Sequence, residues 1–188
     1  LSLVVGTGAS NFDISNNQLV VKTGANINYE NGGSAPTVII RAKDDDGLTY
    51  DQTLTLAVSD VNEAPTAANK TLTINEDNTH TFIKKDFGFQ DVDAGDILTH
   101  ITVKSLPAKG SLTLNGAAVS VDQVIAVADI TSSKLAFTPA AHANGNTYAA
   151  FNFSVSDGSL ASVADKTVTF NVTAVNDAPT ALTPNTGS

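Results

Sequence analysis

The chain has 188 residues, of which 41% are hydrophobic, with a formal net charge of −9 and a pI near 4.5. This negative charge argues against nucleic acid or an anionic membrane surface as the partner, and it favours divalent cations. Cysteine and methionine are absent, which excludes a disulfide framework and thiol chemistry, and the apolar runs are too short to cross a bilayer.

Alternation of apolar and polar residues predicts β-strands along nearly the whole chain. Clear examples are TVIIRAKD (37–44), QTLTLAVSD (52–60), FNFSVSD (151–157) and KTVTFNVTA (166–174). In the second of these stretches, Leu54, Leu56 and Val58 share one face. Turn-forming residues separate the strands, and only residues 121–134 leave room for a short helical turn. The pattern predicts an all-β fold and favours two-sheet sandwiches over barrels.

An internal repeat indicates two modules. The stretch DQTLTLAVSDVNEAPTA (51–67) aligns without a gap on DKTVTFNVTAVNDAPTA (165–181), as in a tandem array of sandwich modules. Pro65 suits a boundary because it has no amide to offer a β-ladder. The predicted organisation is the C-terminal part of one module at 1–64, a complete module at 65–178, and a linker or tail at 179–188.

The apolar positions of the second module predict its core. They are Phe82, Phe87, Phe89, Leu112, Leu114, Phe137, Phe151, Phe153, Val155, Val168 and Phe170. Catalysis finds little support, because His80, His100 and His142 lack metal-site spacing and the chain has neither a nucleophile elbow nor a phosphate-binding loop. We expect the first two histidines on strand faces, the third in a loop, and no enzymatic activity.

A set of short motifs covers nearly all of the second module: INED, DFGFQDVDAGD, SLPAKGSLTLNG, KLAFTPAAHANGNTY, FNFSVSDG and VNDAP. With these motifs it resembles the cadherin-like repeat of very large bacterial surface adhesins, many of them exported like repeats-in-toxin proteins. The first module resembles the later part of such a repeat through NFDI, INYE, IIRAKDDDG and SDVNEAP. The resemblance implies two tandem cadherin/immunoglobulin-like β-sandwich modules, the first lacking its opening strands.

The resemblance also implies calcium between consecutive modules. The matching ligands are the side chains of Glu30, Asn62, Glu63, Asp91, Asp93 and Asp157, and the carbonyls of Val61 and Ala64. Weaker matches are Asp60, Asp44, Glu76, Asp96, Asn176 and Asp177. Asn28 stands where the family has aspartate, and one further family ligand would precede residue 1. Ala174 replaces the aspartate seen at position 60, so a site at the far end of the second module would be partial.

Physical chemistry supports this expectation without deciding it. Calcium takes six to eight oxygen ligands, several of them from carboxylates. Two like charges about 4 Å apart repel by roughly 4 kcal/mol at an effective dielectric constant near 20. The acids therefore either splay into solvent as ordinary turns or are held together by divalent ions. In the stretch AKDDDG we expect Asp44 to lie in an exposed acidic turn.

The predicted function is that of a calcium-stiffened extender in a bacterial adhesin, extracellular, either secreted or on the cell surface. It would project ligand-binding domains for attachment and biofilm formation. Its partners would be neighbouring repeats of the same polypeptide, with a cell-surface or glycan ligand bound through other domains, and with neither nucleic-acid binding nor membrane insertion. One alternative is a sugar- or protein-binding module, for which the aromatic candidates are Tyr29, Tyr50, Tyr148 and an occasional surface phenylalanine. The other is half of a split module that carries an inserted ligand-binding domain.

Overall fold

The structure is a computed structural model that describes residues 2–3, 9–32 and 36–178. The described residues form two compact units that divide between Asn62 and Glu63. We refer to them as the first and the second unit. Residues 179–188, predicted as a linker or tail, lie outside the described residues.

The first unit is built mainly from short antiparallel strands. Its described elements are β1 (Ser2–Leu3), a 3-10 turn (Ala9–Asn11), β2 (Phe12–Ser15), β3 (Gln18–Val21), the one-turn helix α1 (Tyr29–Gly32), β4 (Thr37–Lys43) and β5 (Thr49–Thr55). Strands β1, β4 and β5 form one sheet in that order, and β2 pairs with β3 in a hairpin. Val38 on β4 is completely buried, and Phe12 is 6% exposed.

An ion pair links β4 to β5. Arg41 stands directly opposite Asp51, and its Nε lies 2.7 Å from Oδ1 of that carboxylate. The hydrogen bond from Arg41 lowers the pKa of Asp51, and the same contact raises the pKa of Arg41. Alternating side chains on paired strands thus place opposite charges together, as cross-strand neighbours do in antiparallel sheets.

Strand β5 is shorter than predicted. The alternation in QTLTLAVSD predicted a strand as far as residue 60, but β5 ends at Thr55. The amide of Leu56 still donates to the carbonyl of Pro36 at 2.9 Å, and the chain then leaves the ladder. Strand β4 begins at Thr37, directly opposite Thr55, and no described strand pairs with the other side of β5.

The second unit is a two-sheet sandwich. Its elements are β6 (Lys70–Asn75), β7 (His80–Thr81), a 3-10 turn (Lys84–Phe87), β8 (His100–Val103), β9 (Ser111–Leu114), β10 (Ala117–Ala118), β11 (Val124–Ala126), α2 (Val127–Thr131), β12 (Leu135–Thr138), β13 (Gly145–Ser156) and β14 (Lys166–Thr173). One sheet has the order β10-β9-β12-β7, and the other has the order β11-β8-β13-β14-β6. Strand β6 pairs with β14 in parallel. The all-β prediction is confirmed, and α2 lies in the stretch where a helical turn was expected. The prediction that only this stretch could hold a helical turn is wrong, because α1 forms one at Tyr29–Gly32.

A phenylalanine-rich core fills the space between these two sheets. Phe137 from one sheet stacks on Phe170 from the other with ring centroids 3.8 Å apart, and Phe82 packs edge-on against Phe151. The predicted core is confirmed: nine of its eleven members are buried, and Phe89 and Leu114 are partly buried against the same cluster. This rigid sandwich holds the loops that carry the acidic side chains.

Candidate metal centre

Three carboxylates of the second unit converge at one place. Asp91 and Asp96 belong to the loop of residues 91–96, which we call the acid loop, and Asp157 follows β13. One oxygen of each lies within 4.8 Å of the others. Asp157 is held in position because its Oδ1 accepts the amide of Leu160 at 2.7 Å.

The strand pairing explains why these distant acids meet. Strands β8 and β13 are antiparallel, with His100 opposite Ser156, and the amide of Thr99 donates to the carbonyl of Ser156 at 2.9 Å. Residues just before β8 therefore lie beside residues just after β13. This juxtaposition brings the end of the acid loop to Asp157.

The start of the acid loop is fixed by a second set of contacts. Thr66 and Gln90 exchange backbone hydrogen bonds of 2.7 and 2.9 Å. Gly88, with φ of +54°, approaches Ala68 so closely that a Cβ on the glycine would lie 2.8 Å from the alanine Cβ. Only glycine accepts this combination of left-handed backbone and close approach without strain. The chain entering the second unit is thereby packed beside Asp91.

Two carboxylate oxygens of the acid loop are buried without a partner. Asp91 uses Oδ1 to accept the amide of Asp93 at 3.1 Å, and Asp93 uses Oδ2 to accept the amide of Glu63 at 2.8 Å. The other oxygens, Asp91 Oδ2 and Asp93 Oδ1, are shielded from solvent and have no hydrogen-bond partner in the described part of the chain. A buried charged oxygen without compensation is costly, and an ion is one of the recognised explanations.

The geometry and chemistry of the acids fit calcium. Calcium binds oxygens at about 2.3–2.6 Å, so two oxygens on one ion lie at most about 5 Å apart, and the 4.8 Å limit of the Asp91–Asp96–Asp157 group satisfies this condition. Without a cation, two charges at 4.8 Å repel by about 3.5 kcal/mol at an effective dielectric constant near 20. The donors are oxygens alone, the set that hard cations prefer.

Other predicted ligands form pairs within each unit. In the first unit, Glu30 on α1 and Asp60 bring carboxylate oxygens within 4.8 Å of each other. In the second unit, Glu63 and Asp93 do the same. The predicted ligands of the VNEA stretch fall on both sides of the unit boundary: Val61 and Asn62 end the first unit, and Glu63 and Ala64 begin the second.

Two of the weaker predicted ligands, Asp44 and Glu76, accept hydrogen bonds from other residues of the protein. Asp44 is exposed and accepts the amide of Leu48 through Oδ1 at 2.8 Å, so the expected acidic turn is confirmed. Glu76 is 5% exposed; its Oε1 accepts the amide of Val175 at 2.7 Å, and its Oε2 accepts the side-chain amide of Asn144 at 3.1 Å. Both carboxylate oxygens of Glu76 are therefore already satisfied by hydrogen bonds.

A histidine-centred cluster near the end of the second unit was not predicted. The amide of His142 donates to Asp77 at 2.9 Å, and its Nδ1 lies 3.0 Å from Asp177. All three side chains are exposed, and Asn176 precedes Asp177 in the same segment. Asp177 was among the weaker predicted ligands and Asp77 is adjacent to Glu76, but no sequence signal linked either residue to His142. As expected, His142 lies in a loop, and His80 and His100 lie on β7 and β8.

The three tyrosines differ in exposure. Tyr148 is 8% exposed, Tyr29 36% and Tyr50 68%. The hydroxyl of Tyr148 accepts the amide of Ala140 at 3.1 Å, so this ring belongs to the core. Among the tyrosines, the candidates for a sugar-stacking surface are therefore Tyr50 and, in part, Tyr29.

The two facing sheets of the second unit, closed by a parallel pairing of its first and last strands, define an immunoglobulin-like β-sandwich. The bacterial Ig domain family matches residues 62–173, and the chain belongs to this family. Immunoglobulin-like families are generally non-enzymatic, and the assignment indicates an extracellular, adhesion-type module.

Comparison with solved structures gives similarity at low identity. The endo-fucoidan hydrolase MfFcnA4 of glycoside hydrolase family 107 is 23% identical over 88% of this chain and 22% of that chain, with a TM-score of 0.35. The protocadherin gammaB7 EC3-6 cis-dimer structure is 17% identical over 87% of this chain and 38% of that chain, with a TM-score of 0.47. The endo-fucoidan hydrolase MfFcnA9 is 22% identical over 86% of this chain and 26% of that chain, with a TM-score of 0.32.

The chain thus spans between 22% and 38% of the length of these solved proteins. No curated protein sequence is significantly similar to it. Among the described residues, no helix has the length and apolar character needed to cross a membrane.

Proposed function

We propose that the chain is a calcium-stiffened extender of a bacterial surface adhesin of the repeats-in-toxin type. Such an extender projects ligand-binding domains away from the cell for attachment and biofilm formation. The observation that carries the proposal is the pair of buried, unpartnered carboxylate oxygens, Asp91 Oδ2 and Asp93 Oδ1.

In each of these two carboxylates, the two oxygens have different environments. One oxygen accepts a backbone amide and fixes the side chain, and the other is withdrawn from solvent without a protein donor. A protein donor would satisfy such an oxygen in an ordinary acidic turn. Cations bound at these two carboxylates would satisfy the withdrawn oxygens, and one held by Asp91, Asp96 and Asp157 would also remove the repulsion among those three side chains.

The link to stiffness follows from the position of the ligands in the chain. Asn62 and Glu63 are adjacent in sequence but belong to different units. Calcium bound at this stretch of the chain would restrict the backbone that joins the units. The proposed ligands are Asp91, Asp93, Asp96, Asp157 and Glu63 of the second unit, the carbonyl of Ala64, and Glu30, Asp60, Asn62 and the carbonyl of Val61 in the first.

The calcium affinity of known extracellular modules fits a site on a surface adhesin. Extracellular calcium modules bind with dissociation constants of about 10⁻⁴–10⁻³ M, so the extender would be stiff outside the cell and loose at low calcium. Ligand binding that requires the folded state stabilises it by about 2.7 kcal/mol when calcium is at a hundredfold excess over the dissociation constant.

A calcium titration followed by thermal unfolding tests the proposal. The melting temperature of the wild-type protein should rise as the calcium concentration increases, and Asp93→Asn should lose most of this rise. Asp165→Asn is the matched control, because Asp165 is exposed and outside the acidic groups described above. A wild-type melting temperature that is independent of calcium up to 10 mM (roughly ten times the upper affinity limit) would exclude the proposed function.

A further inference from the structure

The histidine-centred cluster of Asp77, His142 and Asp177 joins three segments of the second unit. Asp77 lies in the turn that follows β6, His142 lies in the loop between β12 and β13, and Asp177 follows β14. One donor atom of each side chain lies within 4.8 Å of the others. The cluster shares no residue with the acid loop, and it contains a nitrogen donor besides its carboxylates.

Both carboxylates of the cluster face the same ring nitrogen. The backbone amide of His142 donates to Oδ1 of Asp77 at 2.9 Å, and Oδ2 of Asp77 lies 3.5 Å from Nδ1 of the ring. Oδ2 of Asp177 lies 3.0 Å from the same Nδ1. This nitrogen carries at most one proton, so it can donate a hydrogen bond to only one of the two carboxylates. The other carboxylate oxygen faces the nitrogen without a proton between them.

The distances within the cluster match those between ligands of one tetrahedral zinc ion. Zinc binds histidine nitrogen at about 2.0–2.1 Å and carboxylate oxygen at about 2.0–2.2 Å, so two of its ligands lie roughly 3.4 Å apart. The two distances from Nδ1 of His142, 3.0 and 3.5 Å, lie on either side of this value. Imidazole nitrogen suits zinc, copper and nickel, whereas calcium prefers a larger set of oxygen ligands.

The cluster is open to solvent. The side chain of His142 is 70% exposed, that of Asp77 40% and that of Asp177 52%. Three protein ligands leave the fourth tetrahedral position of a zinc ion to water. An ion can therefore enter the cluster without displacing any part of the hydrophobic core.

We propose that Asp77, His142 and Asp177 form a zinc site that is separate from the proposed calcium ligands. The ring nitrogen gives the site its preference for zinc over calcium. The amide of Val175 donates to the buried Glu76 at 2.7 Å, so the segment after β14 already lies against the turn that contains Asp77. Zinc attaches this segment to the sandwich at a second point, because its ligands come from three separate parts of the chain.

Zinc chloride is the probe, and it is added to the full chain in about 1 mM calcium so that any site that prefers calcium is in competition. The ring nitrogen signals of the three histidines are followed by NMR. Nδ1 of His142 should move saturably to the position of a metal-bound nitrogen, whereas the rings of His80 and His100 should not respond. Amide hydrogen exchange of residues 174–177 should slow roughly tenfold or more when zinc is bound.

The variant His142→Asn removes the ring nitrogen and keeps the backbone, because asparagine tolerates the left-handed conformation of this residue, with φ of 54°. Its zinc affinity, measured by isothermal titration calorimetry, should fall by at least about tenfold, since even the loss of a group that supports a ligand costs about 10–100-fold. Asp165→Asn is the matched control; it is exposed and outside the cluster, and it should bind zinc as the wild type does.

Three results would each overturn the proposal. The first is an unchanged Nδ1 signal of His142 at millimolar zinc. The second is equal zinc affinity in His142→Asn and the wild type, which would place the zinc on acids elsewhere in the chain. The third is displacement of the zinc from His142 by added calcium, which would identify the cluster as a calcium site.

Discussion

The substitution Asp91→Asn should stabilise the calcium-free protein and should roughly halve the stabilisation that calcium provides. Asparagine keeps an oxygen that can accept the amide of Asp93, so the acid loop retains its local hydrogen bond. It removes the charge that lies within 4.8 Å of Asp96 and Asp157. It also removes the buried, unpartnered carboxylate oxygen.

The magnitude follows from these contacts. Each like-charge pair at 4.8 Å costs about 3.5 kcal/mol at an effective dielectric constant near 20. The side chains are only partly buried, so solvent screening reduces the expected gain in the calcium-free protein to about 1–2 kcal/mol. With calcium, a tenfold weaker affinity lowers the stabilisation from about 2.7 to about 1.4 kcal/mol at the same calcium concentration.

Differential scanning calorimetry with and without calcium measures both effects. For a domain of this size, 1 kcal/mol corresponds to about 4 °C, so calcium should raise the wild-type melting temperature by about 10 °C and that of the variant by about 5 °C. The calcium-free variant should melt above calcium-free wild type. The control variant Asp165→Asn should match wild type in both conditions. A variant that melts lower without calcium and keeps the full calcium response would refute the reasoning.

Two further predictions concern each unit separately. In the second unit, Phe153 is completely buried, so Phe153→Ala should lower the free energy of unfolding, measured by urea denaturation, by about 3–5 kcal/mol. A loss below about 1 kcal/mol is the size expected for an exposed position such as Leu160. Such a small loss would mean that this strand face does not belong to the core. In the first unit, the hydrogen bond from Arg41 lowers the pKa of Asp51, so the pair contributes stability above the ordinary aspartate pKa of about 3.9 and loses it as the pH falls through the lowered pKa. With Asp51→Asn, the melting temperature of β4 and β5 should therefore fall less steeply as the pH is lowered below about 4. The amide NMR signals of the two strands report their melting. An unchanged pH dependence would contradict the ion-pair assignment.

The strands and the core could be predicted because both depend on local alternation. FNFSVSD and KTVTFNVTA place Phe153 and Phe170 on the inner faces of their strands, and both side chains are completely buried. Period-two patterning with one apolar face leaves no other register that buries such large rings. Where a strand has neighbours on both sides, its length also follows the pattern, as in β14.

The end of β5 could not be predicted, because it depends on a partner rather than on local sequence. The stretch around Leu54, Leu56 and Val58 has the same alternation as its repeat in β14, yet the strand stops at Thr55. Backbone groups stay in a ladder only where a neighbouring strand accepts them. The sequence shows which face is apolar, but it does not show whether a partner strand is present.

Some of the acidic ligands could be predicted from sequence motifs, whereas others are brought together only by the fold. Asp91, Asp93 and Asp157 were expected from the motifs DVD and SDG, and Asp91 and Asp157 do converge. Asp96 was only a weaker candidate, and the turn in which its amide donates to the carbonyl of Asp93 at 3.2 Å brings it to them. The pairing of Asp77 with His142 joins residues 65 apart in sequence. Such a contact depends on the fold and carries no spacing that a sequence motif could show.

The width of the distance distribution between the two units tests the central claim most directly. The chain has no cysteine, so spin labels can be placed on Ser15→Cys in the first unit and Ser132→Cys in the second, both at exposed positions. Pulsed electron spin resonance should give a broad distribution in chelator and a narrow one in millimolar calcium, and Asp93→Asn should remain broad in both. Equal widths for wild type with and without calcium would contradict the account, because the acids would then bind no ion that stiffens the chain.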